Sequence, residues 1–351
     1  AGVSILAKGE HIMIITQTPF RMSFFGGGTD MESFFTKYGG AVLSTTFDKY
    51  CYVNVRHLPR FFDYSTELSY SRTERVTDIN AIEHPAIRNA MKMLDMHEIR
   101  LTYEADLPAR SGLGTSSSFA VGMLNAFYAL KGKYADKKKL ADEAIYLERE
   151  LCEEAGGWQD QIAASFGGFN RINFNTDGTY DVLPVIISPE RKKTLNDNLM
   201  MFFTGFTRFS SDVQKANAGS KETQEAKEKR LLEMLSLVDK AEHILTDTHT
   251  DLDDFGRLLD HTWKLKRQTG SAVSTNSIDE LYEKGMQAGA LGGKLLGAGG
   301  GGFLVFYVQP EYQKAVKEAM KDLMYIPFKF EDGGTRVIHY TPETYVPLEG
   351  K

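Results

Sequence analysis

A glycine-rich loop between a predicted strand and a predicted helix is the feature that most restricts how this chain can fold. The loop reads Pro-Ala-Arg-Ser-Gly-Leu-Gly-Thr-Ser-Ser-Ser over residues 108–118, after an alternating stretch at 99–105 and before an apolar run at 119–130. Free N–H groups at the start of a helix attract anions, and glycines allow the backbone to approach phosphate oxygens closely. One hydroxyl, from Thr115 or Ser116, would be enough to cap the helix, so four in a row favour a phosphate-binding loop in an α/β protein.

Composition and charge exclude several classes of protein. A chain of 351 residues that is 42% hydrophobic has enough apolar side chains for two domains with their own cores. Its 41 Lys and Arg against 47 Asp and Glu give a net charge of −6, so nucleic acid is not expected as a partner. The two isolated cysteines, Cys51 and Cys152, indicate neither a disulfide framework nor a zinc site and fit a cytoplasmic protein. Every apolar run is shorter than the roughly 18–20 residues of a membrane span, so no membrane association is expected.

A polar stretch at residues 188–193 lies between two β-rich regions and predicts a domain boundary. We expect an N-terminal domain over residues 13–193 and a C-terminal domain over residues 194–351, with residues 1–12 as a tag or disordered extension.

The apolar patterns of the two halves predict the following elements. In the first half these are strand, turn and strand over 12–25 with the turn at Thr18-Pro19, a helix over 30–38, strands over 41–47 and 50–57, and a helix over 137–154. In the second half they are a strand over 198–204, charged helices over 215–268, and helix, glycine loop and strand over 278–308.

A second glycine-rich loop covers residues 292–302 and contains a G-x-G-x-x-G from Gly297 to Gly302. A dinucleotide-binding fingerprint follows a strand and begins a helix, whereas this loop is predicted to follow a helix and begin a strand. A Walker A motif is excluded as well, because Lys294 is followed by leucine. The loop is too rich in glycine for a simple turn, so we expect it to pack against a ligand or against the first glycine loop.

Two acidic residues are candidates for acid–base or metal-binding chemistry. Asp160 lies between two glycine pairs, on a segment predicted to be irregular, where it could orient and deprotonate a hydroxyl group. Taken alone, its pattern favours a turn or cap residue. Glu148 adjoins the apolar stripe of its predicted helix and could reach a metal ion held by phosphates, or it could be an ordinary surface glutamate.

The segment around the first three glycines holds two more candidates. Thr29 and Glu32 fit a capping box, which would leave Asp30 to face a ligand, although a structural role for Asp30 stays open. Arg21 alternates with apolar neighbours just before Gly26 and could hold phosphate charge, or it could lie on the surface.

Three segments, in the same order as here, make the chain resemble the GHMP superfamily of small-molecule kinases, the galacto-, homoserine, mevalonate and phosphomevalonate kinases. They are a Pro-x-Arg strand with a glycine turn at 18–30, the phosphate loop at 112–117, and the third motif at 294–302. The similarity extends from Thr18 to about Val308 and is strongest to the D-glycero-D-manno-heptose 7-phosphate kinases, with fucokinases next. Galactokinases are disfavoured, because their Gly-Glu-His-Thr-Asp motif is here Gly-Gly-Gly-Thr-Asp.

The resemblance implies an N-terminal α/β domain like ribosomal protein S5 domain 2, a ferredoxin-like α+β C-terminal domain, and a site between them. It assigns Asp160 as the catalytic aspartate, Arg21 as the basic residue beside the reacting hydroxyl, and Ser116 and Glu148 as ligands of Mg²⁺. Acceptor-binding residues would be Gly27, Gly28, Thr29 and Asp30. ATP-binding residues would be Arg110, Ser111, Gly112, Leu113, Gly114, Thr115, Ser116, Ser117, Ser118, Gly299 and Gly300.

The function implied is Mg-ATP-dependent phosphorylation of the anomeric hydroxyl of D-glycero-D-manno-heptose 7-phosphate, giving the 1,7-bisphosphate, by a cytoplasmic monomer or homodimer. A fucokinase-like kinase of free sugars is the alternative. A sugar-sensing regulator of the same fold is a third hypothesis, disfavoured because Asp160, Glu148 and Arg21 are all present.

The sequence offers several candidates for binding the phosphate group that the sugar already carries. They are Lys49, Arg171, Arg208, Lys264 and Arg267, and no spacing rule selects among them.

Overall fold

The computed structural model describes residues 13–109, 111–205, 222–268, 276–296 and 302–341. The predicted extension at 1–12 lies outside these ranges, as do the candidate site residues Arg110, Arg208, Gly299 and Gly300. Within them the chain forms a nine-stranded sheet and a four-stranded sheet, both packed against helices.

The elements of the first half follow one another along the chain. They are β1 (Ile14–Phe25), α1 (Glu32–Tyr38), β2 (Gly40–His57), β3 (Thr66–Ser69), β4 (Thr73–Val76), α2 (Pro85–Met93), β5 (Ile99–Ala105), α3 (Thr115–Leu130), α4 (Lys137–Ile145), a π-helical turn (Tyr146–Leu151), α5 (Gln159–Phe166), β6 (Phe169–Phe174), β7 (Tyr180–Pro184) and α6 (Pro189–Asn198).

The second half contributes the smaller sheet and most of the charged helices. Its elements are β8 (Leu199–Phe203), α7 (Gln224–Thr246), α8 (Asp253–Gln268), α9 (Asn276–Gln287), β9 (Gly292–Leu296), β10 (Phe303–Tyr307), α10 (Gln313–Ala319), β11 (Met324–Ile326), β12 (Phe330–Glu331) and β13 (Arg336–Tyr340). None of the helices in the described ranges is long and apolar enough to cross a lipid bilayer.

The first two strands are longer than the sequence predicts. β1 continues through Thr18 and Pro19, so the predicted turn there is wrong, and the two predicted strands at 41–47 and 50–57 are the single strand β2. β1 and β2 pair along nearly their whole length, with an irregularity between Pro19 and Phe20. Proline has no N–H group to donate to the neighbouring strand. The bulge accommodates this missing hydrogen bond, so β1 continues past Pro19.

Helix α3 is almost entirely buried and fixes the position of the glycine loop before it. One side of the helix packs on β1 and β2, and the other side packs on α4 and α5. Residues such as Phe127 and Leu124 are fully inaccessible to solvent. The N-terminus of α3 lies beside the middle of β1, where the N–H of Arg21 donates to the carbonyl oxygen of Leu113 and the Ser118 hydroxyl donates to that of Pro19.

The smaller sheet has the strand order β11, β8, β10, β9, and all its neighbours are antiparallel. Residues 292–296, predicted as part of the second glycine loop, form β9 and pair with β10, which corrects that prediction. Gly292 is required there, because a Cβ atom at this position would lie 1.8 Å from the carbonyl oxygen of Gly256 on α8. The strand places Lys294 against the first sheet.

The chain returns to the nine-stranded sheet at its end. β12 pairs with β2, and β13 pairs with β1 on the side away from β2. The polar stretch predicted as a boundary is helix α6, which begins after Ser188, whose hydroxyl accepts a hydrogen bond from the N–H of Arg191. The division after residue 193 stays a prediction, with the last two strands belonging to the sheet of the first half.

Candidate active site

The glycine loop ends on Gly114, which is the N-terminal cap of α3. Gly112 and Gly114 have φ angles of 78° and 70°, a conformation that other residues rarely adopt. The cap residue is glycine, which has no side chain, so neither Thr115 nor Ser116 occupies the cap position that was the alternative explanation for these hydroxyls. Ser118 is used structurally, because its hydroxyl donates to the carbonyl oxygen of Pro19 at 2.9 Å.

Arg21 and Asp160 form an ion pair directly beside this loop. The Arg21 Nε lies 2.6 Å from the Asp160 Oδ1, and the Arg21 Nη1 donates to the carbonyl oxygen of Gly112 at 2.8 Å. The Arg21 side chain is 11% exposed and that of Asp160 25%, so the carboxylate is the more accessible partner. A Cβ atom on Gly114 would meet both side chains at 3.2–3.4 Å, which shows how closely the loop packs against the pair.

Asp160 lies in the first turn of α5 and not on an irregular segment, which corrects the prediction. The N-terminal end of a helix carries partial positive charge, which suits an acidic side chain in the first turn. The helix begins there because the Asp30 carboxylate accepts a hydrogen bond from the N–H of Gln159 at 3.1 Å. Asp30 therefore positions the helix that carries Asp160.

The glycine turn at residues 26–28 differs from the predicted capping box. Helix α1 begins at Glu32 with Met31 as its cap residue, and the Thr29 hydroxyl donates to Gly26 and Ala41 instead. Thr29 is fully buried, so its side chain holds the turn together. The capping box does not form because the turn packs against β2, where the Thr29 hydroxyl faces backbone carbonyl oxygens.

Asp30 is buried beside this turn. Its carboxylate accepts hydrogen bonds from the N–H groups of Gly28, at 3.0 Å, and Gln159. Burial raises the pKa of Asp30, and the backbone donors act in the opposite direction. Gly157 is needed for this packing, because a Cβ atom there would lie 1.8 Å from an Asp30 oxygen.

Glu148 lies on the π-helical turn that follows α4. The predicted helix over 137–154 is α-helical only to Ile145, and the wider turn brings both Leu147 and Glu148 into the interior. Glu148 Oε2 accepts a hydrogen bond from the Ser116 hydroxyl at 3.2 Å, and Oε1 accepts one from the Gln161 amide at 2.9 Å. Burial raises the pKa of Glu148 to about 7.

The donor set around Glu148 fits a magnesium ion. A carboxylate and a hydroxyl are hard oxygen ligands, and Mg²⁺ is usually held by one or two such groups plus water and phosphate oxygens. In the part of the chain that the structure describes, no group of three or more His, Cys, Asp or Glu forms a closed metal cage. Gln161, which the sequence did not single out, orients Glu148 through its amide.

These side chains line one open cavity of about 340 Å³. Residues from the glycine turn, the phosphate loop, the π-helical turn and α5 meet there; they include Gly28, Asp30, Ser116, Ser117, Glu148 and Asp160. Gly27 faces Gln159, with a Cβ atom at this position 3.9 Å from the Gln159 amide nitrogen. The structure thus brings six of the predicted site residues to one cavity and places Arg21 in contact with Asp160. Their individual roles stay predictions.

Two sequence profiles and a set of relatives match this chain. Residues 80–168 match the GHMP kinases N terminal domain, and residues 241–326 match the GHMP kinases C terminal domain. D-glycero-alpha-D-manno-heptose 7-phosphate kinase of Campylobacter jejuni is 30% identical over 345 residues, which cover 92% of this chain and 98% of that relative. The chain belongs to the GHMP kinase family.

Solved structures agree with this assignment. A D-glycero-D-manno-heptose 1-phosphate kinase from Bacteroides thetaiotaomicron superposes with a TM-score of 0.74 at 23% identity, covering 95% of this chain and all of that one. A putative sugar kinase from Campylobacter jejuni gives the same TM-score at 26% identity, covering 94% of this chain and 99% of the other. The predicted GHMP kinase fold is confirmed, and the chain is a phosphotransferase that uses ATP as co-substrate.

Proposed function

We propose that this kinase phosphorylates the anomeric hydroxyl of D-glycero-D-manno-heptose 7-phosphate and releases ADP and the 1,7-bisphosphate. The observation that carries the proposal is the identity to the Campylobacter jejuni heptose 7-phosphate kinase over nearly the full length of both chains. The Arg21–Asp160 ion pair supports the proposal as well. Arg21 contacts both Asp160, the proposed proton acceptor, and Gly112 of the glycine loop, where the nucleotide phosphates are proposed to bind.

In the proposed reaction, an Asp160 oxygen accepts the proton of the acceptor hydroxyl as that oxygen attacks the γ-phosphorus atom. The bond between the γ-phosphorus and the bridging oxygen of the β-phosphate breaks, and the electron pair leaves with ADP. Arg21 holds Asp160 in place through its Nε and offers positive charge to the transferring group. Asp30 contributes by fixing the start of α5, and hence the position of Asp160.

The nucleotide phosphates would bind at the N-terminus of α3, where Gly112 and Gly114 allow close approach. Ser116 and Glu148 would hold Mg²⁺, which neutralises phosphate charge when bound. The proposal also includes a cytoplasmic location, supported by two free cysteine thiols, and a monomeric or homodimeric state.

The proposal predicts strict acceptor selectivity. ADP release from Mg-ATP would be measured with D-glycero-D-manno-heptose 7-phosphate, mannose, fucose and galactose, and ³¹P NMR would locate the new phosphate. We expect turnover with the heptose phosphate and a new anomeric phosphate signal. Turnover with free fucose or mannose alone would contradict the proposed acceptor and assign a fucokinase-like activity to the same site.

Replacing Glu148 with glutamine is expected to raise the Mg²⁺ concentration for half-maximal rate by at least about tenfold, because the variant loses a charged oxygen ligand. Rates would be measured against free Mg²⁺ at constant ATP. Glu150→Gln is the matched control, since Glu150 lies on the same π-helical turn but is exposed. A lower kcat with unchanged Mg²⁺ dependence would mean that Glu148 acts only by holding Ser116 and Gln161.

A further inference from the structure

One side chain in the wall of the cavity has no part in the reaction described above. Gln159 is the first residue of α5 and directly precedes Asp160. Its backbone N–H is used structurally, because it donates to the Asp30 carboxylate at 3.1 Å. Its side chain lines the cavity, with the amide nitrogen on the side of the glycine turn. The amide of Gln159 therefore shares the cavity with the carboxylate of Asp160.

Other polar side chains of the cavity wall are already engaged. The Ser116 hydroxyl donates to Glu148 at 3.2 Å, and this pair is the proposed site of Mg²⁺. The guanidinium group of Arg149 donates to backbone carbonyl oxygens of the loop at 154–157, at distances of 2.8–3.2 Å. Arg149 therefore holds the loop that leads into α5.

Asp30, to which the resemblance assigns acceptor binding, is engaged as well. One carboxylate oxygen accepts the N–H of Gly28 at 3.0 Å, and the other accepts the N–H of Gln159. The residue is 3% exposed, which leaves little of its surface for a substrate hydroxyl. Asp30 thus mainly holds the cavity wall together.

The Gln159 amide differs from these groups. Its Oε1 atom is withdrawn from solvent and has no hydrogen-bond partner among the residues that the structure describes. A buried amide oxygen without a partner is unfavourable, so a partner outside the protein is expected. Rotation about the last side-chain bond would turn either the oxygen or the nitrogen toward the cavity, and the oxygen would lose no hydrogen bond.

Gly27 leaves open space in front of this amide. Its φ angle is not positive, so the backbone there does not require glycine. Among the described residues, a Cβ atom at this position would have only the Gln159 Nε2 within 4 Å, at the ordinary contact distance of 3.9 Å. Neither the backbone nor packing explains this glycine, and its missing side chain leaves room for a ligand group between the turn and the amide.

The chemistry of the amide suits a sugar hydroxyl, because each group can both donate and accept a hydrogen bond. With the anomeric hydroxyl at Asp160, a neighbouring side chain meets the atoms bonded to the anomeric carbon. In a pyranose these atoms are the ring oxygen and C2, and of the two only C2 carries a hydroxyl group.

We propose that the Gln159 amide binds the C2 hydroxyl of the acceptor sugar and so selects acceptors that carry this group. The inference rests on the proposed function, which places the anomeric hydroxyl at Asp160. A site that hydrogen-bonds a substrate hydroxyl rejects analogues without it, because its own polar group is then left unpaired.

The test combines a change in the enzyme with a matching change in the acceptor. Gln159→Met removes the amide and keeps an unbranched side chain of similar length. We expect it to lower kcat/KM for D-glycero-D-manno-heptose 7-phosphate by about tenfold to a hundredfold. With the 2-deoxy form of the same acceptor, the variant and the wild type are expected to agree within about threefold. Each comparison uses one acceptor for both enzymes, so the intrinsic reactivity of the analogue cancels.

Gln287→Met is the matched control, since Gln287 is an exposed residue at the end of α9. It is expected to behave like the wild type with both acceptors. Gln159→Ala provides a second variant with the same expected direction as Gln159→Met, and thermal unfolding verifies that each variant is folded. KM for ATP is expected to change by less than about twofold in all of them.

Equal losses with the heptose 7-phosphate and its 2-deoxy form would mean that Gln159 acts only through the start of α5. That result, or a raised KM for ATP with unchanged acceptor selectivity, would overturn the inference and leave the proposed function intact. If the wild-type kinase used free fucose or mannose and not the heptose phosphate, the proposed acceptor would be wrong. The same four measurements with that sugar and its 2-deoxy form would then decide the role of Gln159.

Discussion

Asp160→Asn is expected to lower kcat by about 10²–10⁴-fold, because the amide cannot accept the proton of the acceptor hydroxyl. The substitution is nearly isosteric, and the amide oxygen can still accept the hydrogen bond from the Arg21 Nε that now measures 2.6 Å. The effect should therefore appear in kcat and not in folding. Initial rates with saturating Mg-ATP and heptose 7-phosphate measure it.

Asp142→Asn is the control for this variant, since Asp142 is an exposed residue of α4 paired with Lys138. It is expected to behave like the wild type in the same assay. A kcat within about threefold of wild type for Asp160→Asn would remove the role of Asp160 as proton acceptor.

Arg21→Gln is expected to reduce kcat by about 10²–10³-fold, the usual cost of losing one preorganised donor to a developing negative charge. Two contacts are lost together, the ion pair with Asp160 and the hydrogen bond to the Gly112 carbonyl oxygen. Arg21→Lys keeps the charge but cannot form both contacts at once, so its rate should lie between those of wild type and Arg21→Gln.

The double variant Arg21→Gln/Asp160→Asn tests whether the two side chains act as one unit. We expect its kcat to lie close to that of the less active single variant. When two residues act together, the losses of activity in the single variants do not add in the double variant. A loss equal to the product of the two single losses would show that the ion pair is incidental to the reaction.

Local sequence was sufficient to predict a glycine loop that ends at the start of a helix, whereas its phosphate-binding role stays a prediction. Glycine at positions 112 and 114 and the hydroxyls that follow are a local signal, because they begin a helix with free N–H groups. Burial of α3 follows from its continuous apolar composition. The position of Glu148 could be suspected from its place beside an apolar stripe, but the π-helical turn that brings it inside has no such signal.

The structure differed from prediction wherever long-range packing decides the conformation. The Thr29 hydroxyl binds Ala41 on β2 and not its own helix, because the neighbouring strand supplies a carbonyl oxygen within reach. Lys294 is a second example. Its ammonium group donates to the carbonyl oxygen of Ser23, 271 positions earlier in the sequence, and only the packing of β9 against β1 brings the two together.

Pairing of β13 with β1 brings the two ends of the described chain into contact. The Met13 N–H lies 3.1 Å from the Thr341 hydroxyl oxygen, and the Thr341 N–H lies 3.1 Å from the Met13 carbonyl oxygen. The path from residue 13 to residue 341 is therefore almost a closed ring. A short peptide could join these two positions, and the chain could be opened instead at the exposed hairpin around Gly178. Such a circular permutant would keep every strand pair of the fold while changing the order in which the strands are synthesised.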